Sequence, residues 1–200
     1  MNLPNKISIA RICMIPVFVL AFFLDASILP FHFGISAILF AIAACTDFID
    51  GYIARSRGLV TNLGKFLDPI ADKVLVSTAM ILLLTMKDSL FTAFGTAKNA
   101  LYITISVCIC VILARELIIS AFRQIAAVNG IVMAAEKLGK IKTAFQDVAI
   151  FVLLLAADLT AVPVFSWLGL GLFIIATVLT VWSGISYVLK NKQVLVDKEN

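Results

Sequence analysis

The sequence predicts an all-α integral membrane fold of six transmembrane helices with both termini in the cytoplasm, and three observations carry that prediction. The 200 residues are 62% hydrophobic and 14% charged, where an ordinary soluble domain carries roughly 25% charged residues. Apolar residues gather in six segments, 9–26, 34–54, 69–86, 99–126, 141–160 and 163–189, each close to the length that crosses a bilayer as a helix. Fourteen of the sixteen Lys and Arg residues fall at one set of segment ends, which the positive-inside rule assigns to the cytoplasm. With six spans and short loops, residues 1–200 form a single membrane domain with no room for a separate soluble one.

The first segment follows Leu3-Pro4-Asn5-Lys6-Ile7-Ser8, a stretch suited to the membrane interface. It lacks a small-x-small cleavage site and five more spans follow, so it reads as a retained helix. The second runs into Asp47-Phe48-Ile49-Asp50-Gly51-Tyr52-Ile53-Ala54-Arg55, and the third opens at Asp68-Pro69, where aspartate suits a helix cap and proline a first turn. The fourth carries Arg115 and Arg123 towards its end, and the fifth begins after Leu138-Gly139-Lys140 and includes Lys142. The cytoplasmic set is Lys6, Arg11, Arg55, Arg57, Lys65, Lys73, Arg115, Arg123, Lys137, Lys140, Lys142, Lys190, Lys192 and Lys198; only Lys87 and Lys98 fall on the other side. Nucleic acid is an unsuitable partner for such a chain, which has no basic and aromatic interleaving of the kind that stacks bases. Cys13, Cys45, Cys108 and Cys110 lie in apolar stretches without a CxxC pair and read as buried thiols. His32, in a short loop, is the single histidine and makes no histidine-based metal site alone.

Acids inside membrane segments are costly, so a cluster of them points to function. Asp47 and Asp50 are three apart, and Asp68 and Asp72 four apart, so each pair shares a helix face. On helical rise, Asp47 and Asp50 fall just inside the cytoplasmic edge of the second segment and Asp72 about 6 Å into the third, so an antiparallel pair brings the four carboxylates together. Any one of them is satisfied by a neighbour such as Arg55 or Lys73. Four side by side raise each other's pKa unless more positive charge is present. An all-oxygen donor set favours hard cations such as Mg²⁺ or Mn²⁺, and four carboxylates balance two divalent ions, an arrangement suited to displacement at phosphorus. Gly51 and Ala54 on the acidic face leave room for a phosphate or nucleotide. A six-span ion transporter would also hold intramembrane acids, but nearer the midplane.

These residues resemble the signature of the CDP-alcohol phosphotransferases, D-x-x-D-G-x-x-A-R, eight residues, then G-x-x-x-D-x-x-x-D, matched here by Asp47, Asp50, Gly51, Ala54, Arg55, Gly64, Asp68 and Asp72. The resemblance implies six transmembrane helices around a cytoplasm-facing polar cavity, spanning the whole chain. It also implies that Asp47, Asp50, Asp68 and Asp72 hold two divalent cations, Mg²⁺ or Mn²⁺, and that Asp50, Gly51, Ala54, Arg55 and Gly64 border the CDP moiety. Asp72 would be the base, and the protein a homodimer among membrane lipids. The implied reaction is attack of an alcohol on the lipid-side phosphate of CDP-diacylglycerol, with CMP leaving.

The acceptor is a separate question. Arg115 and Arg123, eight apart, lie close to one helix face, and with Lys140 and Lys142 they form a set able to converge on a phosphate dianion. A phosphorylated acceptor such as glycerol 3-phosphate needs such a pocket, whereas serine does not. Leu3-Pro4-Asn5, Arg11-Ile12 and these basic stretches extend the resemblance towards bacterial inner-membrane members that use glycerol 3-phosphate. Inositol phosphate, serine or phosphatidylglycerol are the alternatives within the family, and a positive loop binding lipid headgroups is the plain alternative for the basic set. Glu116 is expected to orient Arg115, and Asp147 to be a structural partner of hydroxyls or bases.

Overall fold

The computed structural model describes the backbone of residues 3–56, 62–128, 137–160 and 162–192, and side chains for 6–46, 67, 69–92, 94–127, 138–160 and 162–192. The described residues form an all-α bundle of α1 (Leu3–Phe23), α2 (His32–Ser56), α3 (Asn62–Thr85), short α4 (Lys87–Leu90), a 3-10 turn at Thr92–Ala97, α5 (Lys98–Val128), α6 (Lys137–Asp158) and α7 (Pro163–Lys190). Six long helices cover the six apolar segments. Lys6–Phe23, Phe94–Ala127 and Pro163–Lys190 are each long and apolar enough to cross a membrane. Within the described residues of α2, His32–Thr46 is a shorter apolar stretch.

Three local expectations are corrected. The third helix starts at Asn62 rather than at Pro69, so Asp68 is not its cap and Pro69 sits inside it. Proline lacks the N–H that would bond the Lys65 carbonyl, a local cost that the surrounding helix tolerates. His32 is not in a loop but opens α2. The cysteines are not interior: Cys13, Cys45 and Cys110 are exposed and Cys108 is half-buried, all as free thiols. In a membrane helix the outer face is as apolar as the core, so hydropathy does not separate inside from outside.

α6 lies centrally, burying Ala149, Ile150, Leu153 and Leu154 against its neighbours. One continuous core joins it to Phe18, Phe40, Leu83, Ile109 and Phe173 of the surrounding helices. The outer faces are apolar too: Leu20, Leu117, Val178 and Trp182 are each more than 60% exposed. A surface of this kind suits lipid rather than water.

Side-chain bonds tie the helices at both ends. At one end Arg11 of α1 meets α2, while Lys73 of α3 and Lys142 of α6 meet α5. At the other, the Gly34 amide in the first turn of α2 donates to Asp158 Oδ2 at 2.6 Å, so the last residue of α6 satisfies one of the free amides of that helix start. The α3–α5 link is fastened there by Lys98 to Asp88 at 2.7 Å and by Lys87 above the Tyr102 ring. The Lys98 ammonium holds the Asp88 carboxyl below its ordinary pKa. Gly95 takes φ 54°, a backbone state that favours glycine, in the 3-10 turn.

Candidate active site

The acidic signature occupies the last turns of α2 and the first turns of α3, two helices in contact and joined by the short stretch 57–61. Such a connection makes them antiparallel neighbours. Asp50 lies six residues before the end of α2 and Asp68 six after the start of α3; Asp47 and Asp72 lie nine and ten residues from those ends. The four positions therefore sit at matched levels, roughly 9 and 14 Å from the helix ends at 1.5 Å per residue. Both helices run further than the apolar segments indicated, which moves the reference point for Asp72 but keeps the match.

The side chains of Asp47, Asp50, Gly51, Ala54, Arg55, Gly64 and Asp68 lie outside the described residues; Asp72 lies within them. No group of three or more His, Cys, Asp and Glu is gathered among the described residues, a set that holds one of the four signature aspartates.

Asp72 opens onto a cleft between α3, α5 and α6, lined also by Lys73, Val76, Ser77, Met80, Glu116, Lys142, Thr143 and Gln146. Its free volume of about 40 Å³ takes about three waters at 10–15 Å³ each. Glu116 is its electrostatic centre. Lys142, 5% exposed, donates to Glu116 Oε1, and Arg115 Nη1 donates to the same oxygen at 3.2 Å. A buried ammonium requires such a counter-charge. Lys73 donates to Ser120, whose hydroxyl donates to the Glu116 carbonyl one turn back. The cleft thus holds two acids, Asp72 and Glu116, beside two cations, Lys73 and Lys142, with Arg115 bonded to Glu116.

Arg115 also reaches α7, where Nη2 donates to Ser183 Oγ at 3.1 Å. The next residue, Gly184, lets the arginine lie flat on α7: a Cβ there would stand 3.1 Å from Arg115 Cγ and 3.2 Å from its Nε. Arg123, two turns further along α5, donates from Nε to Tyr187 Oη at 3.1 Å and stacks over that ring. The two arginines do share a face, and that face meets α7. Of the four cations expected at an acceptor phosphate, the structure brings Arg115 and Lys142 together on Glu116, places Arg123 on Tyr187, and leaves Lys140 exposed at the start of α6.

Four features escaped the sequence reading. Glu116 binds Lys142 as well as Arg115, Lys73 is held to α5, Ser183 and Tyr187 of α7 hold Arg115 and Arg123, and Gln146 lines the cleft. Gln146 has a legible signal, four residues after Lys142 on one face of α6. Its Oε1 is buried with no hydrogen-bond partner among the described residues, a standing cost of about 1–3 kcal/mol.

A bracing contact lies behind the acidic turn of α2. Arg11, 1% exposed, donates from Nε to the Ala43 carbonyl and to Thr46 Oγ1, both at 3.2 Å. It is therefore an interior residue of the bundle rather than a headgroup-facing charge.

The profile of the CDP-alcohol phosphatidyltransferase family matches residues 1–182. The chain is similar along almost its whole length to proteins named CDP-diacylglycerol–glycerol-3-phosphate 3-phosphatidyltransferase. The one from Bacillus subtilis (strain 168) is 41% identical, with 97% of each chain covered. Those from Rickettsia felis and Escherichia coli (strain K12) are 37% and 36% identical, with 93% and 98% of each chain covered. Complete spacing of the acidic signature, a cleft that opens beside its fourth aspartate, and similarity over the full length agree: the chain belongs to the CDP-alcohol phosphatidyltransferase family.

Proposed function

We propose that this protein transfers the phosphatidyl group of CDP-diacylglycerol to glycerol 3-phosphate, giving phosphatidylglycerophosphate and CMP. The observation that carries the acceptor is the cleft that Asp72 lines together with Lys73 and Lys142, with Arg115 bonded to the lining residue Glu116. A base and a cluster of cations within one small space suit an acceptor with a hydroxyl at one end and a phosphate at the other. The names of the similar proteins point to the same acceptor.

In this reading Lys142 and Arg115 hold the acceptor's phosphate, since both have N–H groups beyond those given to Glu116. Arg123 and Lys140 stand further out and guide the dianion in. Asp72 takes the proton of the terminal hydroxyl as that oxygen forms its bond to the lipid-side phosphorus of CDP-diacylglycerol. The anhydride bond breaks and CMP leaves with the electron pair. In the same reading Asp50, Gly51, Ala54, Arg55 and Gly64 are the residues that bind the CDP moiety.

Family membership implies dependence on divalent cations. Asp47, Asp50, Asp68 and Asp72 fit that requirement as hard oxygen donors at matched levels of two adjacent helices. Two bound Mg²⁺ or Mn²⁺ ions would neutralise the diphosphate and the charge developing on CMP.

The same reading places the polar end in the cytoplasm of a bacterial inner membrane, with six spans, both termini cytoplasmic, and a homodimer embedded in membrane lipid. The test is CMP release by purified protein with CDP-diacylglycerol, Mg²⁺ or Mn²⁺, and a panel of glycerol 3-phosphate, serine, inositol phosphate and phosphatidylglycerol. CMP should form with glycerol 3-phosphate; release with another acceptor alone would reassign it.

A further inference from the structure

Gln146 is 2% exposed, yet only one side of its carboxamide is engaged. Nε2 points to the Met80 sulfur at 3.7 Å, a weak acceptor. Oε1 has no partner among the described residues. Val76 and Met80 make the neighbouring floor of the cleft apolar, and of the two hydroxyls that line it, Thr143 donates to the Gly139 carbonyl and Ser77 makes no bond to Oε1. Lys142, one turn earlier on α6, gives an N–H to Glu116 and none to Oε1.

A carbonyl oxygen accepts hydrogen bonds and cannot give them. The group that completes Gln146 must therefore be a donor, which a phosphate dianion is not and a hydroxyl is. Resting on the acceptor reading above, we propose that Gln146 is a specificity-determining residue whose Oε1 accepts a hydrogen bond from the hydroxyl beside the acceptor's phosphate. The ligand class is a small phosphorylated polyol. Lys142 and Gln146 are one helical turn apart, a pitch of about 5.4 Å, close to the separation of a phosphate from the hydroxyl on the adjacent carbon. The three lining residues Lys142, Gln146 and Asp72 then answer the three functional groups of glycerol 3-phosphate: phosphate, central hydroxyl and reacting hydroxyl.

The experiment compares glycerol 3-phosphate with 3-hydroxypropyl phosphate, which lacks only the central hydroxyl, for wild type, Gln146→Met and Gln146→Glu. Each is assayed for CMP release at saturating CDP-diacylglycerol. Wild type should prefer glycerol 3-phosphate by at least about tenfold in kcat/KM. Gln146→Met fills the same space without the acceptor oxygen and should lose most of that preference through the acceptor KM, with the KM for CDP-diacylglycerol unchanged. Gln146→Glu keeps an acceptor oxygen; its charge weakens both anionic acceptors alike, so the ratio between them should persist.

Equal use of the two phosphates by wild type would overturn the proposal. So would full preference in Gln146→Met, the result expected if Oε1 holds only a structural water, or lost preference in Gln146→Glu. If Gln146→Met does not fold, the wild-type ratio and Gln146→Glu decide. CMP release with neither phosphate, but with serine, would instead remove the acceptor reading itself and this inference with it.

Discussion

The two ends of the bundle are made by the same helices and hold opposite kinds of contact. At the acidic end, buried or half-buried charges reach across helices: Arg11 to α2, Lys142 to Glu116, Arg115 to Ser183, Lys73 to Ser120. There the packing leaves a cleft. At the far end, aromatic edges fill the space between helices, with Phe22 on Phe33, Phe91 on Tyr102 and Phe94 on Trp167 at centroid distances of 4.7–5.8 Å. Its two cations, Lys87 and Lys98, are engaged locally by Tyr102 and Asp88. Polar pairs need particular geometry and leave gaps, whereas aromatic contacts close them. One end is thereby suited to binding, and the other to holding the helices in register.

The largest expected effect breaks the acidic end alone. Asp72→Asn removes the proposed base and one of the four donor carboxylates while keeping the side chain's shape. Turnover should fall by two orders of magnitude or more, since a positioned general base contributes about 10²–10⁴. The thermal midpoint in detergent should stay close to that of wild type. CMP release near the wild-type rate would remove Asp72 from the chemistry.

The far end should respond in the reverse manner. Gly169 of α7 crosses α6 so closely that a Cβ would stand 2.8 Å from both Cγ and Cδ2 of Leu153 and 3.3 Å from its backbone nitrogen. Leu153 and Gly169 are both buried, and a backbone atom cannot step aside. Gly169→Ala should cost about 1–3 kcal/mol, the usual range for overpacking a core, and lower the thermal midpoint. The folded fraction should keep its KM for glycerol 3-phosphate. A raised KM with no loss of stability would show that the two ends are not separate in their roles.

How much of this contrast is legible without coordinates differs by residue. The six long helices follow from apolar runs, because a segment that crosses lipid must bond its own backbone. The start of α3 does not, since Asp68-Pro69 satisfies every local rule for a helix start and only the continuing helix from Asn62 overrides it. Asp47, Asp50, Asp68 and Asp72 stand out because charge in an apolar run is conspicuous. Gln146 passes unnoticed for the opposite reason, being neutral beside the charged Asp147. The common face of Arg115 and Arg123 follows from their spacing, but the helix it meets does not. Gly169 and Gly184 look alike as letters, and their meaning comes from Leu153 and Arg115 across the interface.

That last pair gives the finest test of the comparison, because one substitution on one helix can be made at each end. Gly184→Ala puts a Cβ 3.1 Å from Arg115 Cγ. Here the neighbour is a long, half-buried side chain rather than a backbone, so it can shift by a few tenths of an ångström at little cost in stability. The shift falls on the guanidinium that joins Ser183 to Glu116, and hence on the proposed phosphate ligand. Gly184→Ala should therefore leave the thermal midpoint nearly unchanged and raise the KM for glycerol 3-phosphate a few-fold, with the KM for CDP-diacylglycerol unaltered. Steady-state titrations of both substrates, run beside Gly169→Ala, separate the outcomes. If both variants lose stability and neither alters the acceptor KM, Arg115 is a packing element of the α5–α7 contact and not a ligand of the acceptor.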